Sequence, residues 1–403
     1  MSLIVQKFGG TSVANAERLF NVANIVINTA KEGNGVVVVV SAQGDTTNDL
    51  IAKAKEINSN ASKREMDVLL STGEQISMSL LAMAIEKLGF HVVSLTGWQA
   101  GIKTESIYGN ARIDDIIPTR LQRELDKNNI VIVAGFQGIN KYDDINTLGR
   151  GGSDTTAVAI AAALKADLCQ IYTDVDGVYT TDPRLVSNAK KLEEISYDEM
   201  LELASLGAQV LHNRSVELAK KYNVNLEVLS SLKRVKGTIV KEVVKLEKML
   251  VRGVARDNDV ARVSILGVPD EPGVAFRIFT MLAQKRINVD IILQSIGRDG
   301  TKDISFTISS GNLDAAMQLL NDNIDSFKGK EIIFDENISK VSIVGAGMAT
   351  NAGVAAKMFE ALFEAGINIQ MISTSEIKIS VLIERKEAER AVKVIHDYFH
   401  LDK

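Results

Sequence analysis

"LIVQKFGGTSV", Leu3 to Val13, is a short apolar run ending in a lysine, two glycines and two hydroxyl residues, with the helical pattern "NAERLFNVANIVINTA" directly behind it. A short apolar run closed by small residues suits a strand, and a strand feeding a helix through such a turn is the unit of an α/β sheet. The turn has two readings. One is an ordinary strand-to-helix connection. The other is a phosphate cradle, in which Gly9 and Gly10 let backbone N–H groups approach an anion, the helix from about Asn15 adds its positive end and Lys7 adds a cation. It is not a Walker A loop, because the G-x-x-x-x-G-K-S/T spacing is absent.

The same alternation continues through the first 240 residues. "GVVVVVSA", "NIVIVAGF" and "LCQIYTDV" are continuous apolar runs, as expected for strands covered on both faces, separated by helical patterns such as "REMDVLLSTGEQISMSLLAMAIEKLG". The expected architecture is a layered α/β/α domain with a mostly parallel sheet over residues 1–240. Ligands of such sheets sit at the carboxyl ends of the strands. Those ends carry "KFGGTS", "SAQGDTT", "QGINKYDDINTLGRGGSD" and "TDVDGVYTTDPR", so four loops converge on one crevice.

The bulk composition narrows the partners. The chain has 403 residues, 46% hydrophobic and 24% charged, which is the balance of an ordinary globular protein of two or three domains. Its net charge of −5 and the lack of a clustered basic patch argue against nucleic acid. The single cysteine, Cys169, lies in "DLCQIY" and rules out a disulfide framework. "MSLIVQKFGG" enters a strand without a basic leader or secretory segment, and no uninterrupted apolar stretch approaches the roughly 20 residues of a membrane span. A cytoplasmic protein without membrane partners is expected.

A charged stretch, with a linker expected over 241–248, leads to an internal repeat over 249–403. "VSILGVPDEPGVAFRIFTMLAQKRINVDII" from Val263 resembles "VSIVGAGMATNAGVAAKMFEALFEAGINIQMI" from Val341; the copies are offset by 78 residues at Val263 and Val341 and by 80 at Gly273 and Gly353. The first copy, about 262–336, reads strand, helix, strand, strand, helix and closes with "KEIIFDE". The second, about 340–403, runs out after its last helix. A sheet lacking that strand would leave an open edge, so "MLVRGVARD", 249–257, is expected to cross back and complete it, interleaving two α+β repeats.

Among the loops, "GRGGSDTT" offers free N–H groups at a helix N-terminus beside the guanidinium of Arg150, which is the chemistry of a carboxylate site. A helix capped by Ser153 or Asp154 would explain those residues but not the Arg-Gly-Gly before them. "TDVDGVYTTDPR" holds three acids but lacks the calcium-loop pattern, and suits a nucleotide loop in which Tyr179 packs or stacks. Glu74, in an otherwise apolar helix, is either a solvated residue or the partner of an amine. His91, His212, His396 and His400 have no metal-ligand spacing, and no protein-only metal site is expected.

"KFGGTSV", "VVSAQGDTTNDL", "LLSTGEQIS", "GRGGSDTTAV", "TDVDGVYTTDPR", "YDEMLELASLGAQVLHNRSVELA" and the paired "PDEPGVA…INVD" and "ISTSEIKISVLI" segments, in this order, make the chain resemble the aspartokinase family over essentially its whole length. The resemblance implies an amino-acid-kinase domain followed by two ACT domains that sense end-product amino acids. It implies transfer of the γ-phosphoryl of Mg-ATP to the side-chain carboxylate of L-aspartate. By the same resemblance Lys7 would lie over the ATP phosphates, with Gly9 and Gly10 admitting their oxygens, and Asp154 would orient Lys7. Arg150, with Gly151 and Gly152, would clamp the α-carboxylate. Glu74 would pair the α-ammonium, and Thr47 with Ser153 would hold the side-chain carboxylate. Ser41, Thr173, Asp174, Tyr179 and Arg184 fall at nucleotide positions, and either Lys233 or Lys236 would be a second phosphate-facing lysine. Asp270, Gly273, Ala275, Asn288 and Gln294, with Asn368 and Ile369, would form effector sites for lysine or threonine at a seam between paired ACT domains, which implies at least a dimer. Two other readings remain: a non-catalytic amino-acid sensor, and a kinase of another small acid.

Overall fold

The computed structural model describes residues 2–206, 210–242, 250–295, 297, 300–348, 351 and 353–403. Most of the expected linker (243–248), Met249, the "GAQ" of 207–209 and Ala349, Thr350 and Ala352 of the second-copy loop lie outside the described residues. The chain forms two compact units, Met1–Tyr179 with Lys191–Glu247, and Thr180–Lys190 with Lys248–Lys403.

The first unit begins β1 (Leu3–Phe8), α1 (Ala16–Lys31), β2 (Gly35–Val40), α2 (Thr46–Ile57), α3 (Lys63–Lys87) and β3 (Val92–Leu95). It continues β4 (Ile102–Thr104), β5 (Ile113–Ile116), α4 (Thr119–Leu125), β6 (Ile130–Ala134), β7 (Gln137–Ile139), β8 (Ile145–Thr147), α5 (Gly152–Leu164) and β9 (Leu168–Thr173). After the excursion into the second unit come β10 (Glu194–Ser196), α6 (Tyr197–Ser205), α7 (Asn213–Tyr222), β11 (Leu226–Ser230) and β12 (Thr238–Lys241).

Eight of these strands form one sheet in the order β10-β12-β11-β9-β1-β2-β6-β3, parallel throughout except between β11 and β12. The apolar runs are its centre: every residue of β2 and β6 is buried, as continuous hydrophobic strands between two helical layers should be. β1 lies between β2 and β9, with Lys7 opposite Val39 and Ile171, so the loops after these strands open at one end of the sheet. A small sheet, β5-β4-β7-β8, is built from the connections that follow β3 and β6.

Helix α3 is by length and composition long and apolar enough to cross a membrane. Its buried face instead carries Asp67, Ser71, Glu74 and Ser77 among apolar residues, and polar groups from the sheet and its loops meet three of them, Asp67, Ser71 and Glu74. That is a core helix of the first unit.

In the second unit β13 (Gly253–Asp257) precedes the first copy, β14 (Ala261–Pro269), α8 (Val274–Gln284), β15 (Ile292–Gln294), β16 (Thr301–Ile308), α9 (Leu313–Asp322) and β17 (Glu331–Asp335). The second copy is β18 (Ile338–Val344), α10 (Val354–Glu364), β19 (Met371–Thr374), β20 (Lys378–Glu384) and α11 (Ala388–Tyr398). Two four-stranded antiparallel sheets result, β15-β16-β14-β17 and β13-β18-β20-β19. β13 pairs with β18, Val254 opposite Ile343, so the strand before the first copy closes the edge of the second.

The excursion Thr180–Lys190 differs from the expected layout, in which 1–240 is one domain. Val178 is buried in the first unit, where its N–H donates to Thr238 Oγ1 at 2.9 Å. Eight residues on, Val186 is buried with Val254, Ile343, Val392 and Ile395 of the second. Thr180 anchors the excursion: its carbonyl accepts from the Val254 N–H at 2.7 Å and its Oγ1 lies 3.0 Å from His396 Nε2. Two apolar residues on one loop that enter different cores explain the split.

Candidate active site

Lys7 is the penultimate residue of β1, and because the strand is covered on both faces its side chain is nearly buried, 8% exposed. Its Nζ lies 2.6 Å from Asp154 Oδ1 in the first turn of α5. A buried ammonium needs such a partner, and a carboxylate in the first turn also suits the positive end of the helix. Next to Asp154, Ser153 Oγ lies 2.7 Å from Ser41 Oγ, just beyond β2. The next residue, Ala42, donates its N–H to Glu74 Oε1 of α3 at 3.1 Å. An unbroken chain of neighbours therefore runs from Lys7 through Asp154, Ser153, Ser41 and Ala42 to Glu74.

Glu74 is 4% exposed, and its Oε2 has no hydrogen-bond partner among the described residues. Burial pushes its carboxyl up to about 7, against the smaller opposing effect of the Ala42 N–H. It is not the solvated residue that its helix would equally have allowed. A buried carboxylate with an unpaired oxygen has the chemistry to accept hydrogen bonds from a cation.

The glycines divide. Gly9 donates its N–H to Tyr172 O at 3.3 Å, and the space beside it is bounded by Lys7 Nζ. Gly10 is required for a different reason: a Cβ there would stand 2.5 Å from Ala42 O, so the loops after β1 and β2 touch backbone to backbone. Behind Gly10 comes a 3-10 turn, Gly10–Val13, and α1 starts at Ala16 with the Asn15 side chain accepting from the Arg18 N–H.

α5 has no side-chain cap: its N-cap is Gly151, at φ 68°, and neither Ser153 nor Asp154 takes that place. A Cβ on Gly151 would fall 2.1 Å from Cγ of His212, whose ring packs against this turn. Gly152 is buried against Phe136 and Leu148. Arg150 is exposed and has no hydrogen bond or ion pair among the described residues, while Thr47, in the first turn of α2, is half-buried.

On the other side of β1, Thr173 ends β9 and its Oγ1 donates to Asp174 Oδ1 at 3.0 Å. Tyr179 OH donates to Asp176 Oδ1 at 2.9 Å, and Lys233 Nζ lies 3.8 Å from Asp176 Oδ2. Lys236 is placed differently, its carbonyl accepting from Lys191 Nζ at 2.7 Å. Ser12 Oγ donates to Ser231 Oγ at 2.7 Å, which joins the β1 and β11 loops. Arg184 belongs to the excursion in the second unit and forks onto Asp182.

In the second unit Asp270 pairs with Lys302 at 2.8 Å, and Gly273 and Gly353 start α8 and α10 with the same φ of 93°. Asn288, Gln294 and Asn368 are exposed; Ala275 and Ile369 are partly buried against the cores of their own copies.

Residues that the motifs do not single out are Asp67 and Arg214. Arg214 of α7 donates to Leu148 O at 2.5 Å, Asn110 Oδ1 at 3.2 Å and Ala111 O at 2.9 Å, supporting the loop that carries Arg150. The available signal was Asp67 in step with Glu74, two turns apart on one apolar helix.

The profile of the amino acid kinase family matches residues 2–230, and that of the ACT domain matches 263–324 and 341–399. An aspartokinase of Bacillus sp. (strain MGA3) is 55% identical over 402 residues, covering 100% of this chain and 98% of its own. The crystal structure of E. coli aspartokinase III in complex with aspartate and ADP (R-state) superposes with a TM-score of 0.83 at 27% identity, over 98% of this chain and 99% of that one. The same enzyme in complex with lysine and aspartate (T-state) gives 0.79 at 27% identity, over 98% and 99%. With both halves of its architecture matched in order and over its whole length, the chain belongs to the aspartokinase family, an amino-acid-kinase domain followed by ACT domains.

Proposed function

We propose that this protein is an ATP-dependent aspartate kinase: it transfers the γ-phosphoryl of Mg-ATP to the side-chain carboxylate of L-aspartate, giving 4-phospho-L-aspartate and ADP. The observation that carries the reading is the chain of neighbours from Lys7 to Glu74, with a phosphate-type cation at one end and an unsatisfied buried carboxylate at the other.

The acceptor supplies its own nucleophile, since a carboxylate is ionised at neutral pH and needs no general base. One of its oxygens bonds to the γ-phosphorus as the bond to the bridging oxygen breaks, and the electron pair leaves on ADP. Rate then depends on alignment and on neutralising the charge that spreads over the transferred group. Lys7 supplies a neutralising positive charge, held in place by Asp154, and Mg²⁺ arrives on the ATP phosphates as part of the substrate. Glu74 binds the α-ammonium, Arg150 the α-carboxylate in the turn of Gly151 and Gly152, and Thr47 and Ser153 the side-chain carboxylate. Breaking the Ser41–Ser153 hydrogen bond frees both hydroxyls, Ser153 for the acceptor and Ser41 for the nucleotide. Thr173, Asp174 and Tyr179 form the nucleotide wall. Lys233, beside Asp176 in that wall, suits the second phosphate-facing lysine better than Lys236, whose backbone is tied to Lys191.

The ACT copies supply feedback control by lysine, threonine or both, through Asp270 and the segments around Asn288 and Asn368, in an oligomer of at least two chains. A cytoplasmic location accords with this role. The test is ADP production from Mg-ATP with L-aspartate, with lysine and threonine added singly and together. Aspartate-dependent turnover suppressed by an effector supports the reading, and a folded protein inactive with aspartate but active with another small acid overturns the acceptor assignment.

A further inference from the structure

One face of α3 bears polar residues at Arg64, Asp67, Ser71 and Glu74, a three-four-three spacing that keeps them in one row. Each grips a different part of the crevice. Arg64 donates to Asp144 Oδ1 through Nε at 2.9 Å and Nη2 at 2.6 Å, just before β8. Asp67, 1% exposed, receives three hydrogen bonds: Thr147 Oγ1 to Oδ1 at 2.6 Å, and the N–H groups of Thr147 and Gly109 to Oδ2 at 3.1 and 2.9 Å. The Ser71 carbonyl accepts from Gln137 Nε2 of β7 at 2.8 Å. Glu74 meets the loop after β2.

Thr147 is the last residue of β8, three before Arg150. Asp67 therefore fixes the root of the loop carrying the proposed α-carboxylate clamp, and Glu74, seven residues along the same rigid helix, is the proposed ammonium site. Seven residues of α-helix span about 10 Å. We propose that Asp67 is a positioning residue for the acceptor site, making α3 a ruler that sets the Arg150 loop against Glu74 and so selects a ligand with both α-groups. The inference rests on the aspartate-kinase reading of the site.

Asp67→Asn keeps the shape but replaces one acceptor oxygen by an NH₂ group, leaving at least one of the three donors unpaired. The expected result is an aspartate KM raised about tenfold or more, with the ATP KM little changed. In an Arg150→Ala background the same substitution should add almost nothing, because it acts through Arg150. Preference for L-aspartate over its α-amide should fall with it. Thr147→Val, which removes one of the three bonds, should move aspartate KM in the same direction, and Thr147→Ser should restore the parent value.

Equal rises in both KM values, or effects that add to those of Arg150→Ala, would overturn the inference and show Asp67 to be a purely structural group. A parent protein that produces no ADP with aspartate would instead strike at the function itself. Aspartate affinity by titration calorimetry then gives the same comparison without turnover, and absence of aspartate binding by the parent overturns both.

Discussion

The two halves of the crevice hold their charges differently. On the phosphate side Lys7 is already paired with Asp154 at 2.6 Å, and Lys233 stands near Asp176. On the acceptor side Glu74 has an empty oxygen and Arg150 has no partner among the described residues. On the proposed assignment Lys7 acts on the transferring phosphoryl group, and its pairing holds the cation in place before substrate arrives, as preorganisation requires. On the proposed assignment the acceptor's own α-groups, by contrast, complete the other half. The phosphate side should therefore govern kcat and the acceptor side KM.

The largest effect tests that division at Lys7. Lys7→Met should lower kcat by about 10³-fold or more, on the scale of losing one preorganised charge, and leave the aspartate KM nearly unchanged. A loss below tenfold would break the contrast. Arg150→Ala should raise the aspartate KM by about 10²-fold through loss of a bidentate carboxylate contact, with the ATP KM unaltered.

Glu74 links the contrast to pH. A carboxyl raised from 4.5 to about 7 makes the folded protein bind an extra proton between those values, so its stability contribution is lost as pH rises through that window and stays lost above it. Glu74→Gln should then be more stable than the parent at pH 8 by on the order of 2 kcal/mol, with the gap closing towards pH 5; denaturant melts at both pH values measure it. Because only the ionised form pairs an ammonium, aspartate KM should rise about tenfold per pH unit below 7 in the parent and much less steeply in Glu74→Gln. The smallest effect separates the two lysines: Lys233→Ala should raise the ATP KM about fivefold, near the worth of one exposed charge contact, and Lys236→Ala by less.

The parallel sheet, the loops at its carboxyl end and the duplicated second half were legible because each rests on local pattern. Apolar runs marked β1, β2, β6 and β9, the last three continuous, and matching residues eighty apart marked the copies. The open edge of the second copy pointed to a returning strand, and β13 lies against β18. The family resemblance singled out Lys7, Glu74 and Asp154, and the structure joins these three through one chain of neighbours.

Other features had no local signature. Gly10 looks like a phosphate glycine, yet the constraint on it comes from Ala42, thirty-two residues away. Whether Glu74 is solvated or buried depends on the loop that covers it. The split of "TDVDGVYTTDPR" between units follows from the different cores that take Val178 and Val186. The amino-acid sequence by itself determined the order of elements and the chemistry available at each loop, because hydrophobic period and residue type act within a few neighbours. Tertiary structure alone decided which of those groups are desolvated, which are paired and what holds them, because burial and hydrogen bonding join residues far apart in the chain, as Asp67 joins Thr147.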